Sequence, residues 1–281
     1  MIPCDLHIHP DYSIDSQTSI ETYCERAERM GIKVLGFSTH YDINPARADV
    51  DPFMVVDGKK VPADNRALRS YVKHCLKIRD RYPRLGILTG LEVDYFPGVE
   101  EKISELKREF EFDYLIGSVH CIDNINLSSA AEAPGYYRAH SLDQLGDDYF
   151  NLLYCLADCG LFDIIGHADY YLRFCASHYG PGIFDIYKGR LERVVGAAIR
   201  TGTGFEINTS YKRHGGDSHF PRPDFVRAAA DLGAVINSLG SDSHHQGHLG
   251  TGINEALAFL NSHDIEFKPV YEIKKTTSRI L

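Results

Sequence analysis

His7 and His9 stand two residues apart at the end of a short apolar run. Neighbours two apart on a strand face the same side, so both imidazoles can turn toward one metal ion. The same spacing recurs in Asp242 and His244, and between the two pairs His40, Glu92, His120 and His167 each close a further apolar run. Asp15 lies just past the first pair, and Asp169 just past His167. One such histidine alone reads equally well as a hydrogen-bonded structural residue. Two pairs, three further run-ending histidines and a glutamate read as a metal site, because imidazole is the commonest metal-binding side chain. The chain carries 14 histidines. Nine residues qualify as ligands: His7, His9, Asp15, His40, Glu92, His120, His167, Asp242 and His244. A structural zinc takes about four protein ligands and a catalytic one about three. Nine donors therefore suit two or three ions bridged by carboxylates. Imidazole and carboxylate without thiolate suit Zn, Mn or Fe. Clustered divalent ions suit hydrolysis: one acidifies a water, and a pair can clamp the attacking oxygen and the oxygens of a phosphoryl group.

These donors run from position 7 to position 244, so the fold must gather them. Short apolar runs at 2–9, 33–40, 85–93, 112–120, 162–167, 204–208 and 234–240 read as strands. Amphipathic stretches at 19–30, 64–81, 99–109, 142–159, 184–200, 223–232 and 253–262 read as helices. Thr18 and Glu21 form a capping-box pattern, Gly31 is a stop signal, and Pro83 ends the second helix. Seven strand–helix units in series predict parallel strands joined by crossover helices, as a closed barrel rather than an open sheet. In such a barrel the C-terminal strand ends share one face, where active sites form. The polar stretches 41–63 and 121–141 are expected to cover that mouth. No Pro/Gly/Ser linker divides the chain, so one α/β domain is expected over 1–281, with a core of about 2–265 and a tail, 268–281, of no strong pattern.

Composition narrows the partners. Of the 281 residues, 43% are hydrophobic and 25% charged, as in ordinary globular chains. No apolar run reaches the ~18 residues of a membrane span, and no secretory signal opens the chain. The net charge of −9, from 30 basic and 39 acidic residues, comes without a basic stripe and disfavours nucleic acid as the main partner. The seven cysteines form no C-x-x-C pair and read as reduced thiols of a cytoplasmic protein.

The run Asp5-Leu6-His7-Ile8-His9, then Ser38-Thr39-His40, Gly90-Leu91-Glu92, Gly117-Ser118-Val119-His120, Gly166-His167-Ala168-Asp169, Glu206-Ile207-Asn208-Thr209-Ser210 and Gly240-Ser241-Asp242-Ser243-His244 resembles the PHP (polymerase and histidinol phosphatase) superfamily, and within it the histidinol-phosphatase branch. The resemblance implies a distorted TIM-like (β/α)7 barrel with a metal cluster, commonly trinuclear. It implies one ion on His7, His9, Glu92 and Asp242, whose water attacks phosphorus. A second would share Glu92 and take His120 and His167, and a third His40, His244 and Asp15. Many members have His at the last position, and Asp suits a harder ion. Arg173 and Arg213 lie where the branch places phosphate donors. The expected activity is hydrolysis of a small phosphate monoester, with histidinol phosphate the leading substrate. The alternatives are another phosphate monoester or a nucleotide phosphodiester as substrate, an amidohydrolase-type hydrolase, and a metal-binding module without turnover.

Other residues read as bland. Glu206 reads as a structural carboxylate holding a loop. His74, His140, His178, His219, His245, His248 and His263 lie mid-helix, in loops or at element ends, without a direct role. Tyr12, Tyr41, Tyr95 and Tyr170 sit near ligands, with core packing as their default. Asp169, His214 or a metal-bound water could each serve as the leaving-group acid.

Overall fold

The computed structural model describes residues 2–278. Seven parallel strands follow one another in chain order around the sheet. They are β1 (Cys4–Ile8), β2 (Val34–Tyr41), β3 (Gly86–Asp94), β4 (Tyr114–Ser118), β5 (Ile164–Ile165), β6 (Gly204–Asn208) and β7 (Ile236–Gly240). The helices are α1 (Ile20–Met30), α2 (Asn65–Arg81), α3 (Val99–Glu109), α4 (Ala133–Ala139), α5 (Leu142–Asp158), α6 (Leu172–Tyr179), α7 (Leu191–Thr201), α8 (Pro223–Asp231), α9 (Ile253–Ser262) and α10 (Val270–Ser278). The architecture is a distorted TIM-like (β/α)7 barrel, as expected.

The seam between the first and last strands is closed where β1 ends and just beyond β7. Ile8 bridges Ser243, and the His9 N–H donates to the Ser243 carbonyl over 2.9 Å. The buried Asp5 carboxylate on β1 reaches across the same seam. It accepts from the Ser241 N–H at 2.8 Å, the Ser241 hydroxyl at 2.5 Å and the Gly250 N–H at 2.8 Å. A carboxylate so deep is tolerable only because several donors satisfy it. The strand that carries His7 and leads into His9 is thereby tied to the loop that carries Asp242.

Apolar residues fill both faces of the sheet. Outside, helix faces such as Ile20, Tyr23, Cys24 and Ala27 of α1 pack against it. Inside the barrel, Cys4, Leu6, Tyr114, Ile116 and Ile164 form a separate cluster with Val270 of α10. Tyr114 lies across the interior and donates to the Leu6 carbonyl at 2.8 Å. Gly90 makes room for it, since a Cβ there would lie 2.6 Å from the ring. Interior packing of this kind makes the barrel a solid core and leaves its C-terminal end for a site.

Several sequence expectations need correction. The α1 cap is Ser19, whose hydroxyl accepts from the Thr22 N–H; Thr18 lies outside the helix and accepts from Gln246. Gly31 ends the helix in the left-handed conformation, as expected. The helix expected from 184 begins at Leu191, because 3₁₀ turns occupy Gly180–Asp185. The tail is not patternless: α10 places Val270 in the barrel interior, while residues 279–281 lie outside the described ones. The two polar insertions contain structure of their own. One holds a hairpin of Phe53–Val56 and Lys59–Pro62, the other a hairpin of Cys121–Ile122 and Ile125–Asn126 followed by α4. Among the described residues, no helix is long and apolar enough to cross a membrane. All seven cysteines are free.

Candidate metal centre

At the C-terminal strand ends lies a cavity of ≈ 400 Å³. The insertions do cover it, with Asp51 and Phe53 from one and Asn126 and Ser128 from the other on its wall. Arg47 joins the two. Its guanidinium donates to the Asn124 carbonyl at 2.7 Å and to both Glu132 oxygens at 2.7 and 3.1 Å, and it also pairs with Asp51. Asn44 donates to the Asn124 side-chain carbonyl at 2.9 Å.

All nine expected donors meet at the base of this cavity. Glu92, near the end of β3 and almost fully buried, is the hub. Its Oε2 lies 3.3 Å from His7 Nε2, 3.4 Å from His9 Nε2 and 3.1 Å from His40 Nδ1. Its Oε1 lies 2.9 Å from His167 Nε2 and 3.5 Å from His120 Nε2. Asp242 Oδ1 lies 3.4 Å from His9 Nε2 and 3.5 Å from His244 Nδ1. Asp15 Oδ2 lies 3.1 Å from His244 Nε2 and 3.5 Å from His40 Nε2. The donors form three overlapping groups: His7–His9–Glu92, Glu92–His120–His167 and His9–His40–His244.

The backbone reaches this arrangement by a route the strand period alone does not give. β7 stops at Gly240, and Asp242 takes a left-handed φ of 53°. The two-residue alternation therefore does not govern Asp242 and His244; a turned loop, held by Asp5, aims them. His9, His120 and His167 likewise sit just past their strands rather than on them.

Two features suit divalent ions. The buried His7 Nε2, His9 Nε2 and His40 Nδ1 lie near carboxylate oxygens yet make no hydrogen bond. Buried imidazole nitrogens are costly without a partner, and an ion would supply one. Secondly, His120 Nε2 faces His167 Nε2 at 3.4 Å, and His40 Nε2 faces His244 Nε2 at 3.4 Å. That is roughly the spacing of two ligands on a tetrahedral ion with bonds of ~2.0–2.1 Å.

Charge accounts for the same cluster without ions. Burial disfavours the charged form of His7, yet Glu206, Glu92 and Asp242 outweigh it and hold its proton well above the ordinary range. Burial likewise opposes protonation of His120, and Glu92 and Asp94 overcome it, raising it to about 9. Burial would raise Glu92 and Asp242, but the surrounding imidazoles hold both carboxyls well below their usual range. His9 goes the other way: burial, His244 and His40 drive it well below the ordinary range. Cation binding here must displace protons.

The remaining candidates divide. Arg173 and Arg213 both line the cavity. Arg173 donates to the Tyr170 hydroxyl, and Tyr170 packs on His167 with ring centroids 4.2 Å apart. Arg213 is partly engaged, donating to the Ser241 and Asp242 carbonyls at 2.6 and 2.8 Å. His214 lines the cavity, with burial and Arg173 lowering it to about 4. Asp169 is buried beneath, accepts from the Arg222 N–H at 2.7 Å, and is raised by burial to about 8. His248, read as bland, also lines the cavity, because the 3₁₀ turn Gln246–His248 folds over it. Asp42 and Asp94 escaped the sequence reading although they line the cavity; their one signal is position, just past β2 and at the end of β3. Tyr41 and Tyr95 are buried in the core. Glu206 holds more than a loop: one oxygen meets His7 Nδ1, and the other accepts from the His167 N–H at 3.0 Å.

Comparison with known proteins agrees with this geometry. A "Probable histidinol-phosphatase" of Deinococcus radiodurans is 29% identical over 256 residues, covering 90% of this chain and 91% of that one. A protein of the same name from Clostridium acetobutylicum is 24% identical over 274 residues, covering 96% and 97%. The crystal structure of histidinol phosphate phosphatase from Lactococcus lactis, complexed with zinc, L-histidinol and phosphate, shares the fold with a TM-score of 0.74 at 21% identity, covering 95% of each chain. The sequence profile of the PHP domain matches residues 5–210, well over half the chain and most of the strands that carry the imidazole cluster, and the protein belongs to the PHP domain family.

Proposed function

We propose that this protein is a metal-dependent phosphatase that hydrolyses histidinol phosphate to histidinol and phosphate. The observation that carries the reading is the convergence of nine donors on one cavity, with Glu92 within reach of five imidazoles. Similarity to histidinol-phosphatases along nearly the whole chain supports the choice of substrate.

In this reading His7, His9, Glu92 and Asp242 hold one divalent ion, Glu92, His120 and His167 a second, and His40, His244 and Asp15 a third, each Zn, Mn or Fe. Bound divalent ions supply an acidified water and neutralise charge on the phosphoryl oxygens. The protein's own side chains do the rest. Glu206 orients His7 by accepting its Nδ1 proton, which turns Nε2 toward the cavity. Arg173 stands at the rim as a phosphate donor, with Tyr170 fixing its guanidinium. Arg213 braces the Asp242 loop and contributes its remaining charge to the same wall. Asp51 and Phe53 of one insertion and Asn126 and Ser128 of the other wall in the organic half of the substrate, so the chain acts as one catalytic unit.

The test is phosphate release from a panel of monoesters, diesters and amides by the metal-loaded protein. Turnover of histidinol phosphate above all other monoesters is expected. Preference for a diester or an amide would overturn the reading.

A further inference from the structure

We propose that Asp123, His140 and Asp148 form a second divalent-cation site, on the outer side of the loop wall and separate from the catalytic cavity. One ligand atom from each lies within 4.8 Å of the other two. Three elements supply them: the turn of the second hairpin, the residue that follows α4, and the second turn of α5.

Two of the three side chains are already aimed, and the backbone of the third is fixed. His140 stacks on Tyr136, with ring centroids 4.0 Å apart and planes 11° from parallel. Its Nδ1–H donates to the Tyr136 carbonyl at 2.9 Å, which fixes the tautomer and leaves the Nε2 lone pair free. A second hydrogen bond of this kind is what orients metal-binding histidines generally. The Tyr136 hydroxyl donates to one Asp148 oxygen at 2.7 Å, so one buried tyrosine positions two of the three ligands. Asp123 and Asn124 take left-handed φ angles of 49° and 62°, as a type I′ turn requires. Arg47 and Asn44 hold that turn from the other insertion.

The donor set selects the ligand class. One imidazole and two carboxylates suit a borderline divalent ion such as Zn(II), with three protein ligands and the remaining positions open to water. Asp123 and Asp148 also line a second cavity of ≈ 380 Å³, which gives that water room. Two carboxylates this close repel, and a cation between them removes the repulsion. The bound ion would fasten the hairpin turn to α5, and that hairpin carries Asn126 of the catalytic wall.

The test uses full-length protein already carrying its catalytic ions, with Zn(II) as the probe. Asp123→Asn is the clean variant, because Asn suits the left-handed turn and only the charge is lost. His140→Gln is the second. Equilibrium dialysis should give one further equivalent of zinc in the unmodified protein that neither variant takes up. At about tenfold excess over Kd, zinc should also raise the Tm of the unmodified protein by roughly 2–4 °C and leave that of the variants unchanged. Turnover at low zinc should be equal in all three. Equal zinc stoichiometry and equal Tm shifts in the unmodified protein and the folded Asp123→Asn variant would overturn the proposal. The phosphatase reading would stand either way, since none of these residues touches the catalytic cavity.

Discussion

Nδ1 of His7 lies 2.8 Å from Oε1 of Glu206, a residue 199 positions later, and both side chains are fully buried. The contact sets which way the His7 ring faces. Partners of this kind typically account for about 10–100-fold in metal affinity. Glu206→Gln is therefore expected to fold and to lose metal affinity in that range, read by competition with a chelator. Unchanged affinity would remove Glu206 from the centre.

Arg173 tests the phosphate side apart from the metal side. Its guanidinium lies 5.4 Å from the Tyr170 ring and lines the cavity, but it is not among the nine donors. Arg173→Ala should retain full metal content and raise the KM for the phosphate ester by about tenfold or more, as expected for loss of a charge-assisted hydrogen bond. His9→Ala, by contrast, should lose metal and turnover together. Metal analysis beside steady-state kinetics separates the two.

His219 gives a pH dependence away from the centre. It is buried, its Nδ1–H donates to the Pro221 carbonyl at 2.5 Å, and burial lowers its imidazole to about 4. The unfolded chain, with an ordinary value near ~6.5, binds a proton that the folded one refuses. The contribution is thus fully present above pH ~6.5 and is lost as the pH falls toward 4, by at most ~3 kcal/mol. Urea unfolding across this range should show a steeper acid loss in the unmodified protein than in His219→Gln. Parallel curves would contradict it.

Gly90 tests the packing beneath the site. A Cβ there meets the Tyr114 ring at 2.6 Å, and β3 carries both Gly90 and Glu92. Gly90→Ala should cost roughly 1–3 kcal/mol of stability and shift Glu92 enough to weaken metal binding. Thermal melts with metal titration would show both effects, and a melt equal to the unmodified protein's would show that the ring yields freely.

What could be read in advance follows from how each residue is positioned. His7, Glu92 and His167 were legible because each closes an apolar run, and the strand–helix rhythm sends all such ends to one face. Asp242 was legible as a residue, but its aim comes from a left-handed turn held by Asp5, which no local period encodes. Glu206 stands plainly on a strand, yet its partner lies on the first strand. Phe53 and Asn126 belong to insertions without strong local pattern, placed by the long-range contacts of Arg47. Val270 escaped notice because a short helix at the end of a chain shows too few turns to display a face.

The Arg47 clasp also limits how this protein can change. The segments it joins leave the barrel after different strands, and each puts residues on the wall of the cavity. Replacing one with the equivalent piece of a relative would strand the guanidinium between mismatched partners. Altered selectivity is therefore expected only when both are exchanged as a matched set, which would make the pair of loops, rather than either one, the heritable unit.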